Sequence, residues 1–513
     1  MRGSFVWPLL AAALAGLAQA ASIAWPVGGQ PLWWLQLASL AVLARLLVGQ
    51  ASAWRGFALG QAFGTAWLCG TFWWLFISMH TYGGLAAPLA AVAVLGLAAF
   101  LTLYYAAACA AFVRYLPHGR LSRASLFASL WLLAELLRGH WFTGFPWGAG
   151  GYAHVDGPLA GLAPWLGVYG IGMVAASAAF ALADAARRRP SGRDLTAAAA
   201  AIAVLAALPW LPAPRGEDSG RLQVALLQGN IPQNEKFQPG SGVPLALQWY
   251  AEALRWASAP LVVAPETALP LLPRSLPEGY WQSLVDVFAT GERAALIGVP
   301  LGDRSEGYFN SVVGLKPGAA GPTPYRYDKQ HLVPFGEFVP PMFRWFTSLM
   351  DIPLGDFGRG APVQPAFEWQ GQRLVPNICY EDLFGEEIGA YFLDAAKAPT
   401  VLVNASNIGW FGDTVAIDQH LAISRMRAIE FARPMLRATN TGATAIIDHT
   451  GNVTHLFPRH TRGVLVGEVE GRTGVTPYGW WVSRVGLVPL WALGLLPILL
   501  AVAVRHRRRD VLR

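Results

Sequence analysis

Cysteine is scarce in this chain, with three residues among 513. Cys69 and Cys109 lie inside long apolar stretches, where another small apolar residue could serve as well. Cys379 stands apart in "RLVPNICYEDLFGEE" (373–387), at the end of a strand-like run and beside Tyr380, Glu381 and Asp382. A thiol becomes a useful nucleophile when a base takes its proton and the developing charges are stabilised. Two more polar residues follow or adjoin strand-like runs: Glu266 in "VVAPETALP" and Lys329 in "YDKQHLVPFGEFVP". Glu266 offers a base, and Lys329 offers a cation for the thiolate and for a tetrahedral intermediate. A strand-to-helix turn at Cys379 would add backbone N–H groups that lower a thiol pKa and can hold an oxyanion. Each residue alone also has a plain reading, as a turn cap, a solvated charge and a small buried residue. The cysteines give no disulfide framework and no zinc-ligand spacing, so neither a metal nor a cofactor is implied.

The elements that must position these groups fall into two kinds. From residue 221 on, strand-like runs recur: "RLQVALLQG", "APLVVAPE", "RAALIGVP", "SVVGLK", "RLVPNICY", "PTVLVNAS", "TAIIDHTG" and "GVLVGEVEG". Helical stretches fall between several of them, at 243–258, 279–290 and 416–432. This alternation predicts an α/β sandwich whose ligands gather where strands end at their carboxyl edge.

The rest of the chain is apolar. Hydrophobic residues make up 54% and charged residues 13%, about half the charged share of a typical soluble domain. Residues 1–212 contain no lysine and carry several runs long enough for a bilayer, which takes roughly 20 residues each. The expected spans are 5–24, 30–48, 57–80, 85–113, 124–137, 158–183, 195–212 and 484–504. Arg2, Arg45, Arg55, Arg114, Arg120, Arg123, Arg187, Arg188, Arg189 and Arg193 all fall on one side of these spans. So do Arg505, Arg507, Arg508, Arg509 and Arg513. The opposite short loops lack arginine apart from Arg138 at the end of a span, which is the positive-inside pattern with these fifteen arginines facing the cytoplasm. Without them the formal charge of +7 becomes −8, so the basic excess is topological and argues against nucleic acid. The expected organisation is a membrane domain over 1–212 with seven helices, an outer domain over 213–483, an eighth helix over 484–504 and a basic tail over 505–513. The first apolar segment also fits a cleavable signal peptide ending at Ala18-Gln19-Ala20, but we favour a retained helix.

"APETALP", "YDKQHLVPFGE" and "NICYEDLF" resemble, in that order, the Glu, Lys and Cys segments of the nitrilase superfamily. With seven spans before them and one after, the chain resembles the apolipoprotein N-acyltransferase family nearly end to end. "LQGNIPQNEKF" (227–237), "RGHWFTGFPWGAGGY" (138–152) and "NASNIGWFGD" (404–413) extend the match, and "KQHLVPFGEFVP" is its most discriminating segment. The resemblance implies a nitrilase-like α-β-β-α sandwich beside a polytopic helical membrane domain of about eight transmembrane helices, in the bacterial inner membrane. It implies ping-pong acyl transfer on the periplasmic side. Cys379 would take an acyl chain from a phospholipid, typically phosphatidylethanolamine, as a thioester. The chain would then pass to the diacylglyceryl-cysteine amine of an apolipoprotein, the last step of lipoprotein maturation. By the same resemblance Glu266 is the base, Lys329 the electrostatic partner and Cys379 the nucleophile. Glu337 matches a further acid, and Tyr380 and Glu381 match needed positions beside the nucleophile. Phe237 departs from the pattern, since relatives often carry tryptophan there. Trp147, Trp410 and Phe411 stand in aromatic, Gly-flanked loops suited to substrate contact at the headgroup level.

Rival readings make distinct demands. A membrane-tethered amidase or nitrilase could use the same three residues on a small substrate, although seven spans are far more than a tether. A Cys-His hydrolase would use His331 or His420 as base. A transporter or lipid-binding scaffold would place ionisable residues inside its spans, where the sequence offers few beyond Glu135 and Asp184, both near span ends.

Overall fold

Alanine- and leucine-rich runs with no polar periodicity can bury themselves only as helices packed on helices or facing lipid. The computed structural model describes residues 5–186, 203, 216–318, 325–339 and 356–511. Apart from residue 203, the expected span 195–212 lies outside the described residues, as do Arg2, Arg187, Arg188, Arg189, Arg193 and Arg513. The chain divides into two compact units. One comprises Met1–Trp73, Pro88–Ala213 and Val485–Arg513, and the other Trp74–Ala87 and Pro214–Arg484.

The first unit is helical. Its helices are α1 (Val6–Ile23), α2 (Trp33–Val48), α3 (Ala53–Phe72), α4 (Ala87–Tyr115), α5 (Arg120–His140), α6 (Ala163–Ala185) and a last helix, Val488–Val511. Helices α1 and α3 approach closely because Gly16 faces the Phe63 backbone, where a Cβ would collide. Among the described residues three helical stretches are long and apolar enough to cross a membrane: Val6–Ile23, Ala87–Tyr115 and Pro158–Ala185. Two broken pairs, Ala53–Phe72 with Leu75–Tyr82 and Pro477–Val485 with Val488–Ala503, bring the number to five if each pair is one span. The sequence expectation of one continuous span over 57–80 therefore meets a break. Helix α3 ends at Phe72, and Ser78–Tyr82 forms a π-helical turn. Trp74, past the break, is buried, donates its indole N–H to Gln419 Oε1 at 3.0 Å and packs on Phe411 with ring centroids 4.2 Å apart. Local tertiary partners, invisible to hydropathy, thus commit Trp74–Ala87 to the second unit.

Within the first unit, Arg138 and Glu135 are both fully buried. The Arg138 guanidinium donates to the Phe145 and Trp147 carbonyls at 2.7 and 2.8 Å and to the Tyr105 hydroxyl at 2.9 Å. Glu135 accepts from Gly150 N–H at 2.7 Å, and Gln36 donates to the Gly150 carbonyl at 2.9 Å. Buried polar backbone in an apolar setting must find such partners, and here they fix the loop carrying "GFPWGAGGY".

The second unit contains two six-stranded sheets with helices outside them. Strands β1 (Asp218–Gln228), β2 (Leu261–Val263), β3 (Ala294–Asp303), β4 (Gly307–Leu315), β5 (Tyr325–Asp328) and β12 (Gly463–Arg472) form one sheet in the order β12-β1-β2-β3-β4-β5. Strands β6 (Phe367–Trp369), β7 (Gln372–Ile378), β8 (Val401–Ser406), β9 (Met435–Thr439), β10 (Ala445–Ile447) and β11 (Val453–Leu456) form the other, in reverse numerical order from β11 to β6. The three central strands of each sheet run parallel, β1-β2-β3 in one and β7-β8-β9 in the other, with antiparallel neighbours outside them. Leu226, Val263 and Leu296 of one sheet and Ile378, Val403 and Leu436 of the other fill a dry core between the sheets. The opposite face of the first sheet, with Leu227, Val262 and Ile297, is covered by α7 (Gly242–Trp256) and α8 (Tyr280–Ala289). Helix α9 (Ala416–Phe431) packs against β9, giving the helix–sheet–sheet–helix order that alternating strands and helices predict.

Candidate active site

Each of the three loops that hold the candidate residues leaves the carboxyl end of a strand. Glu266 follows β2, Lys329 follows β5, and Cys379 follows β7. Parallel central strands point their carboxyl ends the same way, so residues far apart in sequence converge there. Each loop also holds a non-glycine residue at positive φ: Thr267 at 46°, Phe335 at 62° and Cys379 itself at 52°. That region disfavours L-residues by about 1–3 kcal/mol each and persists only where surrounding contacts over-determine it. Gly298 in β3 has a related role, because a Cβ there would strike the Pro265 carbonyl and the Glu266 backbone.

Lys329 is 1% exposed. Its ammonium lies 2.9 Å from Glu337 Oε1 and 3.5 Å from Glu266 Oε1. Asn310, in β4, donates to both acids, to Glu266 Oε1 and Glu337 Oε1 at 2.7 Å each. The remaining oxygens are also held. Glu266 Oε2 accepts the Asn407 N–H and Glu337 Oε2 the Val333 N–H, both at 2.8 Å. Burial works against the charge on Lys329, yet Glu337, Glu266 and Cys379 together hold its pKa above the ordinary lysine range. It stays a fixed cation and cannot serve as the base.

Cys379 opens a short 3-10 helix, Cys379–Leu383. Burial, and then the Glu266 charge, push its thiol up to about 12, with Lys329 pulling the other way. Removal from water acts against the lowering expected of the turn. The thiol needs a base at the moment of reaction, and Glu266 is the acid that acts on it most strongly.

Glu381 has a different place from the three reacting candidates. Its carboxylate accepts the N–H groups of Ile378 at 2.6 Å, Gln330 at 2.6 Å and His331 at 3.1 Å, and the Tyr327 hydroxyl at 2.8 Å. It ties the lysine loop to the cysteine strand, and burial pushes its pKa up to about 7. Tyr380 is buried with its ring 5.3 Å from Phe384. His331 stacks on Phe384 at 3.5 Å and meets Glu387 through Nδ1 at 2.8 Å. His420 Nε2 is engaged by the Cys379 carbonyl at 3.2 Å and by Asp382 at 3.0 Å.

The aromatic candidates divide by exposure. Phe237 is 41% exposed, and Trp410 and Phe411 are partly exposed on a 3-10 turn, Ile408–Phe411. Trp147 is buried, with Trp141 and Phe142 the exposed aromatics of its segment. Sequence reasoning missed Asn310, Asn407 and Lys236, which line the same cluster. Asn310 was legible as a lone amide inside the strand "GYFNSVVGL", while Lys236 and Asn407 lie in the segments "LQGNIPQNEKF" and "NASNIGWFGD" without standing out there. Among the described residues no group of three or more His, Cys, Asp or Glu is placed to hold a metal ion.

Comparison with known proteins fits this division. Residues 11–181 match the apolipoprotein N-acyltransferase N-terminal domain, and residues 223–478 match the carbon-nitrogen hydrolase family. The chain is 62% identical to the apolipoprotein N-acyltransferase of Verminephrobacter eiseniae over 94% of each protein. It is 47% identical to that of Ralstonia nicotianae over 93% of this chain and 90% of the relative. For the Bordetella bronchiseptica enzyme of the same name the identity is 43%, over 97% of this chain and 96% of the relative. A carbon-nitrogen hydrolase fold carrying a cysteine, an acid and a lysine at its strand ends, joined to several apolar helices and matched along nearly its whole length, places the chain in the apolipoprotein N-acyltransferase family.

Proposed function

We propose that this protein is an acyltransferase that moves an acyl chain from a phospholipid to the N-terminal amine of diacylglyceryl-cysteine in apolipoproteins, through a thioester on Cys379. The observation that carries this reading is the buried cluster itself, with Glu266, Glu337 and Lys329 joined at 2.9–3.5 Å beside a strained cysteine. In the first half-reaction Glu266 takes the proton from Sγ, and the thiolate attacks the ester carbonyl of the phospholipid. Lys329 stabilises the oxyanion. The intermediate then expels the lysophospholipid alkoxide, which takes the proton back from Glu266. In the second half-reaction the apolipoprotein amine attacks the thioester, Glu266 removes its surplus proton, and the thiolate leaves to be reprotonated. Glu337 orients Lys329, while Glu381 and Tyr380 hold the two loops in register.

Lipid substrates suit a chain with several apolar helices. In this reading eight helices cross the bacterial inner membrane, 213–483 is the periplasmic catalytic domain, and the basic tail 505–513 is cytoplasmic. The one-sided arginines support that orientation. Phosphatidylethanolamine serves as acyl donor, and the partly exposed Phe237, Trp410 and Phe411 contact acyl chains. A chase experiment tests the two-step transfer. Protein loaded with phosphatidylethanolamine and stripped of free lipid should pass one acyl group to a diacylglyceryl-cysteine peptide. The same peptide with a blocked α-amine should take none. Transfer that requires phospholipid to be present together with the peptide would rule out the covalent route.

A further inference from the structure

Lys236 lies in the turn after β1, where Glu235 and Lys236 donate their N–H groups to the Pro232 carbonyl at 3.0 and 2.9 Å. A lysine in a loop ordinarily extends into water, but this one is 1% exposed. Its ammonium donates to the backbone carbonyl of Glu266 at 3.1 Å and lies 5.9 Å from the Phe237 ring centroid. The titratable groups acting on it are Glu266 and Cys379, both of which favour its charged form. The site thus holds two lysines, not one, and the second reaches it from a different loop.

Counting charge shows what the second lysine changes. With the thiol protonated, Glu266 and Glu337 contribute two negative charges to the buried cluster and Lys329 one positive charge. Lys236 in its protonated form brings the sum to zero. Moving the proton from Sγ to Glu266 leaves that sum unchanged, since thiolate and Glu337 then face two ammonium groups. Without Lys236 the cluster would carry a net negative charge out of water both before and after the transfer, and buried unbalanced charge is strongly disfavoured.

Resting on the acyl-transfer reading above, we propose that Lys236 is a positioning residue for that reaction: its buried ammonium fixes the Glu266 loop and balances the charge against which Cys379 becomes a thiolate. Phe237, its neighbour in the turn, places one ring face near the ammonium and stands 41% exposed, so the turn joins an exposed aromatic to the buried cluster. Burial pulls the Lys236 pKa down to about 7, opposed by Glu266 and Cys379. Its charge therefore depends on the very acid and thiol it serves. The other charges acting on Cys379 are Glu266, Glu337, Lys329 and Arg437.

Three variants of the full chain separate charge from anchoring. Lys236→Gln keeps an N–H donor for the Glu266 carbonyl but carries no charge. Lys236→Met removes both donor and charge, and Lys236→Arg keeps both. Thioester formation from phosphatidylethanolamine is followed by intact mass at saturating lipid. Iodoacetamide alkylation of Cys379 is followed against pH in a Cys69→Ala/Cys109→Ala background. Losing one cation near a thiol shifts its pKa by about 1–3 units. Lys236→Gln should therefore move the alkylation profile to higher pH by at least about one unit and slow thioester formation about ten- to a hundredfold, with half-saturating lipid little changed. Lys236→Arg should restore both readouts. If Lys236→Met does not fold, Lys236→Gln still decides the matter. An unmoved alkylation profile in Lys236→Gln, or equal impairment in Lys236→Arg, would overturn the charge-balance role. Failure of the underlying reading looks different, because wild-type protein would then form no thioester at all.

Discussion

The Glu266 carboxylate is held from three directions: by Asn310 and Lys329 on one oxygen and by the Asn407 N–H on the other. Those donors orient it, and they make a test of its role clean. Glu266→Gln preserves size but cannot take the thiol proton, so thioester formation should fall by about 10²–10⁴, the usual span for a lost general base. Lys329→Ala removes the fixed cation beside the developing oxyanion and should cost about 10²–10³ in rate. His331 is occupied by Glu387 and stacked on Phe384, so His331→Ala should keep thioester formation within about tenfold of wild type. Single-turnover rates measured by quenching and mass analysis decide between them. Loss of the thioester in His331→Ala with retention in Glu266→Gln would hand the base to histidine.

At the scale of elements, the strained turn after β7 depends on a polar network beneath it. Asn404 in β8 and His420 in α9 both reach the Cys379 carbonyl, at 3.1 and 3.2 Å. Arg437 in β9 donates to Asn404 Oδ1 at 3.0 Å and Ser424 Oγ at 2.7 Å, and lies 3.5 Å from Asp382 Oδ2. All of these side chains except Cys379 are fully buried. Arg437→Met would leave Asp382 without its cation, and breaking a buried pair from one side costs about 3–5 kcal/mol. Thermal unfolding of the purified variant should show Tm lower by roughly ten degrees, at about 2–4 °C per kcal/mol for a unit of this size. A Tm within a degree of wild type would mean that the arginine is not a support of the turn. Glu266 and Cys379 were legible because each ends an apolar run with a reactive group, and Lys329 because its segment "YDKQHLVPFGE" matched a known pattern. The network was less so, since its members come from strands and a helix that meet only after folding. Asn404 in "VLVNAS" did carry a signal, as an amide that follows a buried apolar run. Strands β5, β6, β9 and β11 escaped because each is short and interrupted by polar side chains, whereas the equally short β2 and β10 are continuous apolar runs. The break after Phe72 escaped for another reason: apolar composition continues through it, and only the contacts of Trp74 reveal it.

At the scale of the whole molecule, the membrane-suited helices and the carbon-nitrogen hydrolase fold belong to one chain because the proposed chemistry joins lipids. Burial and the Glu266 charge push the Cys379 thiol up to about 12, so acyl transfer depends on Glu266 taking the proton. Cys109 is buried within α4 and Cys69 lies in α3, where a thiolate would be costly. The most direct measurement is the intact mass of the full-length protein after incubation with phosphatidylethanolamine and no acceptor. Wild-type protein and the Cys69→Ala/Cys109→Ala variant should each gain one acyl mass that neutral hydroxylamine removes, and Cys379→Ala should gain none. An acyl mass retained in Cys379→Ala, or full transfer to an apolipoprotein amine by that variant, would contradict the thioester at Cys379.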